Sequence, residues 1–237
     1  MGIEELSELD ILHGCFSTLL VVVSLIVGLR LLLKYFNNRR KEYITIGFSW
    51  MFIASPWFGN SISFLLYISI NTRLELVPYL FLENFFIPIA LVCWIYSFCK
   101  LEHPILVKKG TFIFLLICVL YEIYLITALI INPQSIGTLE GMFDSSHTVI
   151  PNVFRIFGIL IVLITGLLLS STLRKSEDMT VKWKGRFLLM GIISFTIGAF
   201  LDAVLIFTPL ELVIVRLLLI SSSIEFYLGF FLPQSIA

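Results

Sequence analysis

Six ionisable residues lie inside long apolar stretches of the sequence: Glu83, Glu122, Arg155, Asp202, Arg216 and Glu225. A charge within a lipid bilayer costs several kcal/mol unless it is paired or hydrated, so each is a candidate for function. Four of them lie roughly 6 to 11 Å from one end of their stretches, at the rise per residue of an α-helix: Glu83, Arg155, Asp202 and Arg216. Acids and guanidinium groups at one depth predict a polar pocket that binds a small molecule or ion. The same residues would also form two ion pairs, Asp202 with Arg216 and Glu83 with Arg155, and both interpretations stay open.

The second apolar stretch is interrupted by Ser55-Pro56-Trp57-Phe58-Gly59-Asn60-Ser61. Proline lacks a backbone donor and kinks a helix, and Asn60 adds an amide near the middle of the stretch. We therefore place Trp57 and Asn60 in the wall of the same ligand site. The alternative is that Pro56 only shapes helix packing, and Pro88 is a second candidate for a kink.

The two remaining acids have different predicted roles. Glu122 has no obvious basic partner, so it is either protonated in apolar surroundings or faces water, which makes it the candidate for proton coupling. Glu225 follows Ser221, Ser222 and Ser223, whose hydroxyl groups favour close contact between helices, and a structural role is preferred for it.

Motifs for catalysis are absent from the sequence. His13, His103 and His147 are scattered without the spacing of a zinc site, and no glycine-rich phosphate loop, serine elbow or Cys-x-x-Cys occurs. We expect no catalytic residue, no metal site and no cofactor, and an enzyme is the least favoured class of protein.

The composition predicts the elements that must position these residues. Hydrophobic residues make up 59% of the 237 residues and charged residues 14%, and the mean hydropathy is +1.02, which together indicate a membrane protein surrounded by lipid. Acids and bases balance, so nucleic acid is not an expected partner. Seven stretches are long enough to cross a bilayer as helices, so the predicted fold is an all-α polytopic bundle; the stretches, called spans 1 to 7, are residues 11–36, 43–70, 76–98, 111–131, 149–173, 187–207 and 212–232.

Basic residues are concentrated in the connections on one side of this bundle. That side carries 13 of the 16 lysines and arginines, namely Arg30, Lys34, Arg39, Arg40, Lys41, Lys100, Lys108, Lys109, Arg174, Lys175, Lys182, Lys184 and Arg186. Because basic loops stay in the cytoplasm, we expect the N-terminus outside and the C-terminus inside a cell membrane that the protein crosses several times.

An internal repeat is suggested by similar landmarks in spans of corresponding rank. Leu74-Glu75-Leu76-Val77 returns as Leu210-Glu211-Leu212-Val213, Gly28 corresponds to Gly166, and Gly59 corresponds to Gly198. Residues 11–98 and 149–232 would then be two parallel three-helix units in one domain of residues 1–237, joined by a linker helix at residues 111–131. Chance similarity between leucine-rich helices is the alternative.

The order of three, one and three helices resembles the group that joins transporters, microbial opsins and G-protein-coupled receptors. Span 7 lacks the lysine that binds retinal in opsins, so the resemblance implies no retinal pigment. Ser55-Pro56-Trp57 and Lys182-Trp183-Lys184-Gly185-Arg186-Phe187-Leu188-Leu189 resemble segments of archaeal seven-helix membrane proteins of unknown function.

These observations favour a receptor-like protein that binds a small molecule or ion in a pocket facing outwards. A transporter of a small polar solute, with Glu122 carrying a proton, is the first alternative. A structural or lipid-interacting protein is the second. The sequence leaves open whether the protein forms a homo-oligomer.

Overall fold

The computed structural model describes residues 6–205 and 207–232, which are almost entirely helical. The helices are α1 (Glu8–Asn38), α2 (Glu42–Ile53), α3 (Phe58–Ile70), α4 (Leu76–Asn84), α5 (Phe86–Glu102), α6 (Val107–Ile131), α7 (Val149–Arg174), α8 (Met179–Val204) and α9 (Pro209–Phe231). Two short strands, β1 (Gly137–Glu140) and β2 (Asp144–His147), lie between α6 and α7. The predicted positions of the chain termini concern residues outside the described ranges.

Seven helical segments are long and apolar enough to cross a membrane. They confirm the seven predicted spans, with α2 and α3 forming span 2 and α4 and α5 forming span 3. The helix starts predicted from hydropathy were wrong for some spans, because capping side chains decide where a helix begins. Span 6 begins at Met179 and not at residue 187, since the Asp178 side chain accepts hydrogen bonds from two amides of the first turn. Span 7 begins at Pro209, behind a capping box made by Thr208 and Glu211.

Both prolines that were predicted to kink their spans lie at or near an interruption of the helix. Span 2 changes to a 3-10 turn at Ser55–Trp57 before its second helix begins. Span 3 breaks at Phe85, where Pro88 cannot donate to the carbonyl group of Asn84 four residues earlier. The interrupted backbone in both spans lies beside the candidate site described below.

Contacts between neighbouring helices arrange six of the spans in a ring, in the order 1, 2, 3, 5, 6 and 7, which closes where span 7 packs against span 1. Span 4 packs on the outside of this ring, against span 3 and against span 5, where Tyr121 stacks on Phe154 at 3.7 Å. In the 18-residue apolar stretch of span 4, only 22% is buried inside the protein, compared with 33% to 50% in the corresponding stretches of the other spans.

Aromatic side chains fill the interior of the ring in the half next to the basic loops. Trp50 stacks on Phe226 with ring centroids 3.7 Å apart, and Phe195 and Trp94 pack against this pair. All four side chains are buried. We call Trp50, Trp94, Phe195 and Phe226 the aromatic cluster.

The connection between spans 4 and 5 folds back over the opposite end of the ring as an antiparallel hairpin of β1 and β2. The sequence did not predict this hairpin. Phe143, which is 1% exposed, packs in the small apolar cluster of Phe64 and Tyr67. The hydroxyl group of Tyr79 donates to the Phe143 carbonyl at 3.0 Å. The hairpin is therefore anchored to spans 2 and 3.

Candidate functional site

A cavity of about 240 Å³ lies between the hairpin and the ring of helices. Six spans and the hairpin contribute to its wall. The wall includes all six residues that the sequence analysis assigned to a ligand site, namely Trp57, Asn60, Glu83, Arg155, Asp202 and Arg216. The structure therefore brings these side chains together, while their role in ligand binding stays a prediction.

Asp202 is the centre of one group of contacts in this wall. It pairs with Arg216 at 2.5 Å and accepts a hydrogen bond from the indole nitrogen of Trp57 at 2.9 Å. The guanidinium carbon of Arg216 also lies over the Trp57 ring, 5.5 Å from its centroid. Because Trp57 ends the 3-10 turn, this group links the interrupted part of span 2 to spans 6 and 7.

Glu83 is the centre of a second group. Its side chain is only 3% exposed, and its Oε2 atom accepts a hydrogen bond from the Ser145 hydroxyl group at 2.7 Å. The same oxygen lies 3.2 Å from His147 Nε2 and 3.8 Å from Arg155 Nη2. Both ion pairs considered from the sequence are thus present, and they lie in the cavity wall.

His147 lies between the charges of Glu83 and Arg155. Burial, followed by the positive charge of Arg155, holds the pKa of His147 well below its ordinary value, so the ring is neutral at neutral pH. A neutral imidazole has one donor and one acceptor. With the hydrogen on Nε2, the ring donates to Glu83 at 3.2 Å and accepts from Arg155 Nη1 at Nδ1, also at 3.2 Å. With the hydrogen on Nδ1, Nε2 instead accepts from Arg155 Nη2 at 2.9 Å.

Asp144 lines the cavity from the hairpin, with its Oδ2 atom 3.8 Å from Nε2 of the buried His13. About half of the Asp144 side chain is exposed, at 47%, yet it lies close to other acids. Desolvation by the surrounding protein, with smaller contributions from Asp202 and Glu83, raises the pKa of Asp144 to about 7. This carboxyl group therefore changes its charge near neutral pH.

A smaller apolar pocket of about 50 Å³ adjoins the cavity on the side of the aromatic cluster. Trp57, Arg155 and Asp202 belong to the walls of both. Apolar side chains make up most of the rest of its wall, including Ile53, Ile87, Leu91, Phe195 and Ala199. The site thus combines a polar chamber near the hairpin with an apolar recess deeper in the bundle.

Glu122 and Glu225 are not among the residues that line the cavity. Glu122 belongs to span 4, outside the ring, and within the described part of the chain neither of its carboxylate oxygens has a hydrogen-bonding partner. Near Glu225, the hydroxyl groups of Ser223 and Ser24 lie 3.2 Å apart and join span 7 to span 1, as expected for the serine run.

Several polar residues of the cavity wall were missed in the sequence, among them His13, Glu140, Asp144, Ser145 and His147. His13 and His147 were considered only as possible zinc ligands, but the hairpin brings both into the wall of the cavity. The polar run from Asp144 to His147, just before span 5, was the available signal. Within residues 6–205 and 207–232, no three His, Cys, Asp or Glu side chains are grouped closely enough to hold a metal ion.

No protein-family model matches this chain, and a search of curated proteins found no match either. The fold and site define a polytopic membrane protein of seven helices with a polar cavity at one end.

Proposed function

We propose that the protein is receptor-like and binds a small molecule or ion in the cavity beneath the hairpin. The observation that carries this proposal is the contrast between the two ends of the ring. One end holds a polar cavity of about 240 Å³, whereas the stacked rings of Trp50 and Phe226, 3.7 Å apart, fill the other half. A site that is reached from one side only suits recognition more than transfer across the membrane.

The cavity would face the outside of a cell membrane. The loops next to it carry Arg73 as their one basic residue within the described ranges, whereas the basic residues that set orientation lie beyond the aromatic cluster. A ligand arriving from outside would meet the acids of the hairpin first.

Ligand binding would be coupled to helix packing through Trp57. This side chain contacts Asp202 through its indole nitrogen and lines the cavity, the apolar recess and the small gap beside Trp50 and Phe195. A ligand that competes for Asp202 would release Trp57 at the point where span 2 is already interrupted. Displacement of Trp57 would then reach the aromatic cluster.

The proposed internal repeat is supported by the positions of the matching glycines. A Cβ atom on Gly28 would meet span 2 and one on Gly166 would meet span 6, so both glycines lie between the first and second helices of their units. Gly59 and Gly198 lie likewise between the second and third helices. The Leu-Glu-Leu-Val copies are less alike, since Glu211 belongs to a capping box and the Glu75 side chain makes no capping bond.

A transporter is the alternative function. It would require the aromatic cluster to separate so that the cavity could open to the other side. Glu122 would have to carry a proton from a position outside the ring, and the described contacts do not connect it to the cavity. These two features make the transporter the less favoured proposal.

The proposal is tested by ligand-induced thermal stabilisation of the purified protein in lipid nanodiscs, using a library of small polar compounds. Ala203 lines the cavity, so Ala203→Trp should fill it and abolish stabilisation by compounds that stabilise the wild type. Ile197→Trp is the matched control, because Ile197 belongs to the same span and is 48% exposed on its outer face.

Flux measurements in proteoliposomes separate the alternatives. Binding that depends on an open cavity, without uptake of the bound compound, supports the receptor-like function. Uptake driven by a pH gradient and lost in Glu122→Gln would support the transporter instead. If Ala203→Trp and Ile197→Trp respond equally to every stabilising compound, the cavity is not a ligand site and the proposed function is wrong.

A further inference from the structure

The cavity wall contains more acidic than basic groups. Arg155 and Arg216 are already paired with Glu83 and Asp202. Two further carboxylates, Asp144 and Glu140, line the same cavity. Within the described ranges, neither carboxylate has an arginine or lysine at salt-bridging distance. Asp144 has only the imidazole of His13 nearby, with its Oδ2 atom 3.8 Å from His13 Nε2. With its carboxylates ionised, the cavity therefore carries a net negative charge.

A second observation concerns buried polar groups that have no partner. Asn60 is 2% exposed and lines the cavity, and its side-chain amide makes no hydrogen bond with any other described residue. His13 is 6% exposed, lines the cavity as well, and has no partner for its Nδ1 atom within those same residues. Buried polar groups are nearly always hydrogen-bonded in folded proteins, so the unpartnered nitrogen of His13 beside this cavity, with the Asn60 amide in the same wall, indicates that a polar ligand completes it.

The size of the cavity sets the scale of that ligand. A cavity of about 150 Å³ accommodates a benzene molecule, and this one measures about 240 Å³. Phe207, Leu205 and Pro56 supply apolar surface beside the acids, and the apolar recess of about 50 Å³ continues below Trp57. These dimensions fit a molecule that has a small apolar body as well as a charged group.

We propose that the cavity binds a compact organic cation, whose ammonium group lies against Asp144 and the free polar groups of Asn60 and His13, with its apolar body directed towards Trp57. This inference rests on the proposed function and names the chemical class of the ligand. An ammonium group supplies the charge that Asp144 lacks, and it leaves both arginine ion pairs intact. An anionic ligand would meet the acids of the hairpin and would compete with Glu83 and Asp202 for the arginines, whose remaining unpartnered atoms, such as Arg155 Nε and Arg216 Nε, are buried.

The raised pKa of Asp144, about 7, supports the same conclusion. A carboxyl group has a raised pKa where its charged form lacks compensation. A bound cation would provide that compensation, so binding should favour ionised Asp144. Negative potential at the entrance would also steer cations towards the cavity.

The experiment compares three probes of similar shape and different charge, namely phenethylamine, 2-phenylethanol and 3-phenylpropionate. Their dissociation constants are measured by calorimetry on the full chain in nanodiscs, at matched ionic strength. We expect phenethylamine to bind at least about tenfold more tightly than either other probe, since one charge-assisted contact contributes that much.

Two substitutions locate the binding. Asp144→Asn removes the charge with little change of shape and should weaken phenethylamine binding about tenfold, with a much smaller effect on 2-phenylethanol. Glu75→Gln is the matched control, because it removes an exposed acid from the same end of the protein, outside the cavity wall. Its affinity for phenethylamine should equal that of the wild type.

The outcomes that contradict this inference differ from those that contradict the proposed function. If 3-phenylpropionate binds as tightly as phenethylamine and Ala203→Trp abolishes its binding, the cavity is a ligand site but the cation inference is wrong. The inference is also wrong if compounds from the library bind the wild type and lose their binding in Ala203→Trp, while phenethylamine does not bind the wild type. If phenethylamine binds equally to the wild type and to Asp144→Asn, the amine lies elsewhere and the inference is overturned.

Discussion

The indole nitrogen of Trp57 donates to Oδ2 of Asp202 across 2.9 Å, while Oδ1 of the same carboxylate pairs with Arg216. Three spans therefore meet at one carboxylate group. Arg216 is 2% exposed, so its charge depends on Asp202 for compensation. Asp202 thus stabilises the ring at the same place where it lines the cavity.

Substitution of Asp202 should destabilise the protein strongly. Asp202→Asn leaves the buried Arg216 without its counter-charge, and removing one partner of a buried ion pair costs about 3–5 kcal/mol. The free energy of unfolding, measured in mixed micelles, is expected to fall by that amount. The double variant Asp202→Asn with Arg216→Gln should recover much of the loss because it leaves no uncompensated charge. If the single variant is as stable as the wild type, the pair contributes nothing.

Ser145→Ala should loosen the hairpin. It removes the 2.7 Å hydrogen bond to the buried carboxylate of Glu83, and a hydrogen bond to a charged group contributes about 1.5–3 kcal/mol. Hydrogen exchange of the amides in residues 137–147 should become faster. Thr138→Ala is the control, since it removes an exposed bond of 2.9 Å to Ser146 in the same hairpin and should have little effect. Equal exchange rates in both variants would contradict this role for Glu83.

The protein should lose stability as the pH rises from about 4 to about 7 through the titration of Asp144. Its pKa is raised from 3.8 to about 7 in the folded protein, so the folded state binds more protons than the unfolded state in that interval. The titratable and charged groups that face it are His13, Glu83, Asp202 and Arg216.

The contribution of Asp144 is isolated by comparison with Asp144→Asn. The unfolding temperature of each protein is measured at about pH 5 and about pH 8, and the wild type should lose more stability than the variant between these values. Organic cations should bind the wild type more tightly at the higher pH. Parallel pH profiles for the two proteins would show that Asp144 does not titrate in this interval.

Gly191→Ala should separate spans 6 and 7. A Cβ atom at this position would lie 2.9 Å from the backbone nitrogen of Phe226 and 3.1 Å from the carbonyl oxygen of Ser222, and backbone atoms cannot rotate away. Overpacking of this kind costs about 1–3 kcal/mol in the free energy of unfolding. Gly110→Ala is the matched control, because its Cβ atom would meet only the Cys99 sulfur at 3.0 Å. A loss of stability in both variants alike would argue against close helix contact at Gly191.

The orientation is tested with single cysteines in a variant without Cys15, Cys93, Cys99 and Cys118. Glu75→Cys and Glu177→Cys place a thiol at exposed positions at opposite ends of the bundle. If the basic loops are cytoplasmic, an impermeant maleimide should label Glu75→Cys in intact cells and Glu177→Cys only after permeabilisation. The reverse pattern would invert the proposed orientation and place the cavity inside.

The sequence by itself determined the number of spans and the depth of the charged residues. Lipid excludes backbone groups that lack hydrogen bonds, so long apolar runs must be helices, and the constant helical rise converts residue number into depth. For that reason Glu83, Arg155, Asp202 and Arg216 could be assigned to one level before the fold was known. The kink at Pro56 was also readable, because proline lacks an amide hydrogen whatever surrounds it.

Only the tertiary structure decided which side chains share the cavity. Glu122 has the same chemistry as Glu83, but span 4 packs outside the ring, and hydropathy says nothing about the order in which helices pack. His147 and Ser145 reach Glu83 because distant contacts, such as that of Tyr79 with Phe143, hold the hairpin over the ring. Such contacts depend on side-chain complementarity between segments far apart in the chain. Local pattern does not encode that complementarity, so the polar half of the site became visible only in three dimensions.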